Sequence, residues 1–76
     1  MPRKAEPKMM NRLRDLRAEH EMTKQQLADQ AGVTRQTIVA IERGGYTPSL
    51  ALALTIATVF ERSVESIFWI ANSDTR

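Results

Sequence analysis

The hydrophobic pattern of this chain predicts five short helices and no strand. Apolar residues recur every three or four positions, the spacing that brings side chains onto one face of an α-helix. The first two helices would bury Met9, Leu13 and Leu16, then Leu27, Ala28 and Ala31. We expect the first helix at residues 9–21. The second follows Thr23, with Gln26 spaced as in a capping box, and ends at Gly32, a residue suited to a left-handed C-cap.

The third predicted helix begins after Thr34, ends at Gly44 and has two different faces. At about 100° per residue, its core side is formed by Thr37, Ile38 and Ile41, with Glu42 at the border. The opposite arc, about 140° wide, holds Arg35, Gln36, Val39, Ala40 and Arg43. This acid-free face suits the DNA major groove, where arginine donates to guanine, glutamine pairs with adenine and small apolar groups contact thymine methyls. A solvated polar face that happens to lack Asp and Glu is the alternative.

The segment after residue 47 is the most apolar part of the chain. Residues 50–60 follow Pro48 and the cap candidate Ser49 and are apolar almost all round, which favours a helix in the middle of a bundle. The stripe that could face water consists of Ala51, Thr55 and Thr58. After a turn, Ser63 would cap a fifth helix with an apolar face of Val64, Ile67 and Phe68. The predicted fold class is therefore all-α, a compact five-helix bundle.

The two ends of the chain differ from the predicted domain at residues 9–70. Residues 1–8 contain two prolines and four charged residues, which predicts a flexible basic arm that is either inert or in contact with DNA. Residues 71–76 are predicted to be a frayed tail. Seven of the eleven Lys and Arg residues lie within the first 24 positions. With a net charge of +2 and a pI near 9.5, this distribution favours a polyanionic partner.

Composition restricts the possible functions of this single 76-residue domain. The sequence has no cysteine, which excludes disulfides, thiolate metal sites and a cysteine nucleophile. His20 is the only histidine and lies between two glutamates, and neither a phosphate-binding glycine loop nor a metal-ligand spacing is present. We therefore expect no catalytic residue, no metal and no cofactor. No apolar run is long enough to span a bilayer and no signal peptide is visible, so we expect a cytoplasmic protein with no membrane partner.

Six motifs follow one another in a characteristic order. They are Leu-Arg-Asp-Leu-Arg at 13–17, Met-Thr-Lys-Gln-Gln-Leu-Ala at 22–28, Gly-Val-Thr-Arg-Gln-Thr-Ile at 32–38, Ile-Glu-Arg-Gly at 41–44, Thr-Pro-Ser-Leu at 47–50 and Val-Glu-Ser-Ile-Phe at 64–68. Through these motifs residues 11–68 resemble the helix-turn-helix family of phage repressors and Cro proteins, the XRE-like small transcriptional regulators. The resemblance implies a lambda-repressor-like DNA-binding domain of bacterial, archaeal or phage origin.

The resemblance also implies which residues bind DNA. Base contacts are expected from Arg35, Gln36, Thr37 and Ala40, and helix geometry adds Val39. Phosphate contacts are expected from Lys24, Thr34, Arg43, Tyr46 and Thr47. In this family an arginine late in the first helix pairs with a glutamate near the end of the recognition helix, which here implies an ion pair between Arg17 and Glu42. That pair is either partly buried and costly to lose, or exposed and weak.

The function expected from the resemblance is sequence-specific binding of double-stranded DNA by a transcriptional regulator, and we expect a repressor. A single recognition helix contacts few base pairs, so we predict a homodimer on a palindromic operator. Trp69 and Ile70 are not needed to fill the predicted core. They either fold back towards Leu54 or form the dimer interface together with Phe68, and we predict the interface.

Two alternatives to an ordinary regulator share this fold. An antitoxin or protein-binding adaptor would use Trp69, Ile70 and the arm to bind a protein partner. A restriction–modification controller protein would bind DNA as a regulator does. An adaptor does not need a recognition face free of acidic residues. Because the third predicted helix has such an acid-free face, the regulator is favoured.

Overall fold

The computed structural model describes residues 8–71, so residues 1–7 of the predicted arm and 72–76 of the predicted tail lie outside the described residues. The helices are α1 (Leu13–Glu19), α2 (Lys24–Ala31), α3 (Arg35–Arg43) and α4 (Leu50–Phe60), and a single 3-10 turn spans Val64–Ser66. Two short strands, β1 (Met9–Asn11) and β2 (Phe68–Ile70), form an antiparallel sheet.

The five-helix, all-α prediction is wrong at both ends of the domain. Met9, predicted to begin the first helix, lies in β1 opposite Ile70 of β2, and Asn11 lies opposite Phe68. Helix α1 therefore begins only at Leu13. In place of the predicted fifth helix there is one 3-10 turn. The residues that follow it, 68–70, are extended because they pair with β1. This pairing joins residues far apart in the sequence, and local periodicity carries no information about it.

The capping residues confirm the predicted boundaries of α2 and α3. Thr23 Oγ1 accepts a hydrogen bond from the Gln26 amide at 3.0 Å, and Gln26 Oε1 accepts from the Thr23 amide at 2.8 Å, which completes a capping box. Thr34 caps α3 with a single bond, in which its Oγ1 accepts from the Thr37 amide at 3.2 Å. Gly32 ends α2 in the left-handed conformation, with φ of 77°. Such local bonds define the turn between the two helices.

Helix α4 is a surface helix, and its predicted position in the middle of a bundle is wrong. One face contributes Ala53, Ile56, Ala57 and Phe60 to the core. The other face exposes the predicted stripe of Ala51, Thr55 and Thr58 together with two leucines. Leu50 is 71% exposed and Leu54 is 49% exposed. Because a small domain has only one core, a helix that is apolar all round can bury only the side that faces it.

A single hydrophobic core joins all four helices and the sheet. Its members are Leu13, Leu16, Leu27, Ala28, Ile38, Ile41, Ala53, Ile56, Ala57, Phe60, Ile67 and Phe68. No polar or charged residue among residues 8–71 is fully buried. The predicted cap Ser49 bonds the Leu52 amide at 3.1 Å, whereas the side chain of Ser63 makes no capping bond to the 3-10 turn. The core supports α3 from one side and leaves its opposite side free.

Candidate nucleic-acid interface

The outer face of α3 is accessible. Arg35, Gln36 and Arg43 are exposed, while Val39 and Ala40 are half-buried between them. On the inner face, Ile38 and Ile41 are at most 1% exposed. The division of α3 into an apolar face and an acid-free polar face therefore follows the helical pattern of the sequence.

Thr37 lies between these two faces and its hydroxyl is already engaged. It is half-buried, and its Oγ1 lies 3.1 Å from Oγ1 of Thr34. The Thr34 hydroxyl also accepts from the Thr37 amide, so the first turn of α3 is closed by its own threonines. This local bonding leaves Arg35 and Gln36 as the long side chains that extend from the N-terminal end of α3.

The ion pair that the resemblance implies is present and fixes the C-terminal half of α3. Arg17 donates from Nε to Glu42 Oε2 at 2.6 Å and from Nη2 to Glu42 Oε1 at 3.0 Å. The two side chains are only 12% and 7% exposed. The hydrogen bond to Glu42 raises the pKa of Arg17 above its ordinary value, with a smaller Coulombic contribution, against the opposing effect of burial. Such a bidentate pair defines both distance and orientation between α1 and α3.

Two further hydrogen bonds stabilise the surroundings of α3: one joins α1 to the loop before α2, and the other joins β1 to α3. Arg17 Nη1 donates to the carbonyl of Met22 in the loop before α2, at 3.1 Å. Asn11 Nδ2 donates to the carbonyl of Ile41 at 3.0 Å, and Asn11 Oδ1 accepts from the Leu13 amide at 3.1 Å. Sequence reasoning missed Asn11. Its position two residues before the first helical residue was the available signal, since asparagine often bonds the backbone two residues on.

Three cationic side chains from three helices line one cleft beside α3. The cleft has a volume of about 320 Å³ and is lined by Arg14, Lys24, Val39, Glu42 and Arg43. Lys24 and Arg43 are both predicted phosphate contacts, and the tertiary fold brings them to the same cleft. Arg14 was not predicted as a site residue. Its signal was present, because Arg14 and Arg17 are three residues apart and so share the face of α1 that meets α3.

The remaining predicted phosphate contacts lie at the two ends of α3. Thr34 is exposed at the N-terminal end. Tyr46, which is 47% exposed, and Thr47 lie in the loop after α3. That loop begins at Gly44, whose φ of 84° ends the helix in the left-handed conformation. None of these three residues lines the cleft.

The predicted dimer patch is divided by the sheet. Phe68 is 6% exposed and belongs to the hydrophobic core, so its assignment to an interface is wrong. Trp69 is 38% exposed and Ile70 is 47% exposed. Since successive strand residues point to opposite faces, Trp69 shares a face with Met10, opposite it in β1, rather than with Ile70. The Arg12 guanidinium lies 5.2 Å from the centre of the Trp69 ring, within cation–π distance.

The helix-turn-helix family profile matches residues 13–67, from the start of α1 to Ile67, the residue that follows the 3-10 turn. The chain belongs to the Cro/C1-type helix-turn-helix family. The members of this family are DNA-binding transcriptional regulators and not enzymes. Helices α2 and α3 are thus the two helices of the helix-turn-helix unit. Within residues 8–71, none of the helices has the length and apolar character that a membrane span requires.

Similar helix-turn-helix proteins occur in bacteria and archaea. An uncharacterized HTH-type transcriptional regulator of Bacillus subtilis, YgzD, is 45% identical over 62 residues, which are 82% of this chain and 94% of the relative. The regulator MJ0272 of Methanocaldococcus jannaschii is 52% identical over 60 residues, covering 79% and 91%. The crystal structure of the restriction-modification controller protein C.AhdI of Aeromonas hydrophila matches with a TM-score of 0.67 and 30% identity, over 71% of this chain and 82% of that chain.

Proposed function

We propose that this protein is a sequence-specific repressor that binds duplex DNA with α3 in the major groove. The observation that supports it most directly is the outer face of α3, where Arg35 and Gln36 are exposed and no acidic residue is present. Glu42, the one acidic residue of α3, is turned away into its pair with Arg17. A helix held this firmly can present the same donors to every operator, and repression requires only that the bound protein blocks polymerase.

The proposed base contacts follow from the chemistry of this face. Arg35 donates twice to a guanine edge, and Gln36 pairs with an adenine edge, because these geometries match in the major groove. Val39 and Ala40 provide small apolar surface for a thymine methyl. Thr37 contributes through its methyl group and through its bond to Thr34, since its hydroxyl is engaged there. Thr34, Tyr46 and Thr47 are proposed to contact phosphates on either side of these bases.

We propose that the repressor acts as a homodimer on a palindromic operator. One recognition helix spans only a few base pairs, whereas two helices about one turn of DNA apart give useful affinity and specificity. Trp69 is proposed to lie in the interface together with Met10, which is exposed on the same face of the sheet, whereas Ile70 points to the opposite face and is left out of the proposed interface. The exposed face of α4 around Leu50 and Leu54 is the competing surface. Trp69→Lys should convert the dimer to a monomer in sedimentation equilibrium, whereas the same result from Leu54→Lys alone would assign the interface to α4.

Selection from a randomised duplex library at moderate salt, followed by sequencing, tests the proposal. We expect an enriched palindrome whose half-sites lie about one helical turn apart. Arg35→Ala and Gln36→Ala should each change the preferred base at one position per half-site and cost about 1–3 kcal/mol there. Arg62→Ala is the matched control, an exposed arginine beyond the C-terminal end of α4. If Arg35→Ala and Gln36→Ala both kept the preferred bases, as the control should, the assignment of Arg35 and Gln36 as base-contacting residues would be wrong.

A protein-binding adaptor, such as an antitoxin, is the second candidate function. It is favoured by Leu50 and Leu54, which are exposed one helical turn apart on the same face of α4, since adjacent exposed apolar side chains can form an interaction surface. Salt-sensitive binding without an enriched sequence would support the adaptor. A restriction-modification controller is a narrower form of regulator, suggested by the similarity to C.AhdI. It would require that the enriched palindrome also occurs beside the genes of such a system.

A further inference from the structure

The cleft between α1, α2 and α3 concentrates positive charge in one place. Arg14 comes from α1, Lys24 from α2 and Arg43 from α3. Arg14 and Arg43 are exposed and Lys24 is half-buried. Within residues 8–71 the only salt bridges are Arg17–Glu42 and Arg62–Glu19, so none of the three cations has an acidic partner there. Three cations held together without a counter-charge form a site for an anion.

The one acidic residue in the cleft does not cancel this charge. Both carboxylate oxygens of Glu42 accept hydrogen bonds from Arg17, and the Glu42 side chain is only 7% exposed. The pair is close to neutral as a unit, which leaves a formal charge of about +3 on the remaining lining. Arg17 is therefore a positioning residue for this cleft. Without it, the unpaired carboxylate would face the anion.

We propose that this cleft binds one backbone phosphate of the DNA and that Arg14 is a phosphate-binding residue. The proposal rests on the proposed DNA-binding function. The location of the cleft favours DNA over a free anion, because two of its lining residues, Val39 and Arg43, belong to the outer face of α3. A phosphate bound there lies directly beside the bases that α3 would contact. The cleft has a volume of about 320 Å³, which accommodates a phosphate group together with bound water.

The arrangement explains what a contact from α1 adds to those from α2 and α3. A phosphate bound by three helices fixes the depth and the angle at which α3 enters the groove. Charge-assisted bonds of this kind set register and orientation but carry no base information. Arg14 therefore contributes equally to binding of all sequences, unlike Arg35 and Gln36.

Arg14→Gln tests the inference, with Arg62→Gln as the matched control. Arg14 is exposed, so the variant keeps its fold, which circular dichroism checks. Binding of the selected duplex is measured over a range of salt concentrations. We expect about three- to tenfold weaker binding of specific and non-specific duplexes alike, and a salt slope reduced by about 0.9. Arg62→Gln should match the original protein. An Arg14→Gln protein with unchanged affinity and slope would overturn the inference, while leaving base-specific binding by the original protein intact.

A duplex series with one neutral methylphosphonate at successive positions identifies the phosphate. At one position per half-site, the substitution should weaken binding of the original protein and have no further effect on Arg14→Gln. Additive effects at every position would overturn the inference. A second outcome would also overturn it: NMR at constant ionic strength shows saturable binding of inorganic phosphate to the original protein and none to Arg14→Gln, while no methylphosphonate position in the duplex depends on Arg14. If the original protein selects no sequence from the library, the proposed function fails independently of these results.

Discussion

The pair between Arg17 and Glu42 offers the sharpest test of how α3 is held. Replacing Arg17 with Met keeps most of the side-chain volume and removes the charge. The two hydrogen bonds to Glu42, of 2.6 and 3.0 Å, are lost together with the bond of 3.1 Å to the Met22 carbonyl, and the Glu42 carboxylate is left 7% exposed without a partner. Exposed pairs contribute up to about 1 kcal/mol, whereas breaking a buried pair costs about 3–5 kcal/mol. At this burial we expect Arg17→Met to lower the free energy of unfolding by about 3 kcal/mol.

Urea unfolding measures this loss, with Trp69, the only tryptophan, as the fluorescent probe. For a domain of this size the expected fall in Tm is about 12–24 °C. The pKa of Arg17 is raised, so its stabilising charge is present at every pH below the ordinary pKa of arginine and is lost only as the pH rises through the still higher folded value. Deprotonation of Arg17 therefore makes no contribution to the measurement near neutral pH.

Two further variants separate the ion pair from general packing. Arg17→Met/Glu42→Met removes both charges, so it should be more stable than either single variant, which corresponds to a coupling energy of at least about 3 kcal/mol. Arg62→Met is the exposed control, since its pair with Glu19 is 3.8 Å long and its side chain is 44% exposed. It should cost less than about 1 kcal/mol. The reasoning is refuted if Arg17→Met costs no more than Arg62→Met, or if the two Met substitutions are simply additive.

Two further predictions concern the backbone. Asn11→Ala removes the bond to the Ile41 carbonyl and the bond to the Leu13 amide, so it should cost about 2 kcal/mol in urea unfolding; a loss below about 0.5 kcal/mol would mean that Asn11 does not hold α3. Glu61 ends α4 with φ of 56° and Gly32 ends α2 with φ of 77°. Apart from Gly32 and its chain neighbours, no atom of the described residues lies within 4 Å of the place that a Cβ at Gly32 would occupy. Glu61→Gly should therefore stabilise the protein by about 0.5–1 kcal/mol, and Gly32→Ala should destabilise it by about 1–2 kcal/mol. If both variants shifted Tm in the same direction in thermal unfolding, this reasoning would be contradicted.

The boundaries of the helix-turn-helix unit were predictable because their determinants are local. A capping hydroxyl such as that of Thr23 or Thr34 bonds an amide three residues away, and both partners are visible in the sequence. Gly32 and Gly44 occupy the left-handed positions that glycine tolerates best. The two faces of α3 also follow from the spacing of Ile38 and Ile41 alone. These features account for the successful part of the sequence analysis.

By itself, then, the sequence determined where α2 and α3 begin and end and which face of α3 is polar, because bonds spanning three or four residues and a helical repeat suffice for that. Only the tertiary structure decided that residues 9–11 pair with residues 68–70, and that Leu50 and Leu54 face away from the core. It also brought Arg14 into one cleft with Lys24 and Arg43. Each of these features depends on which distant segment lies opposite, and apolar or basic character at a single position does not encode that.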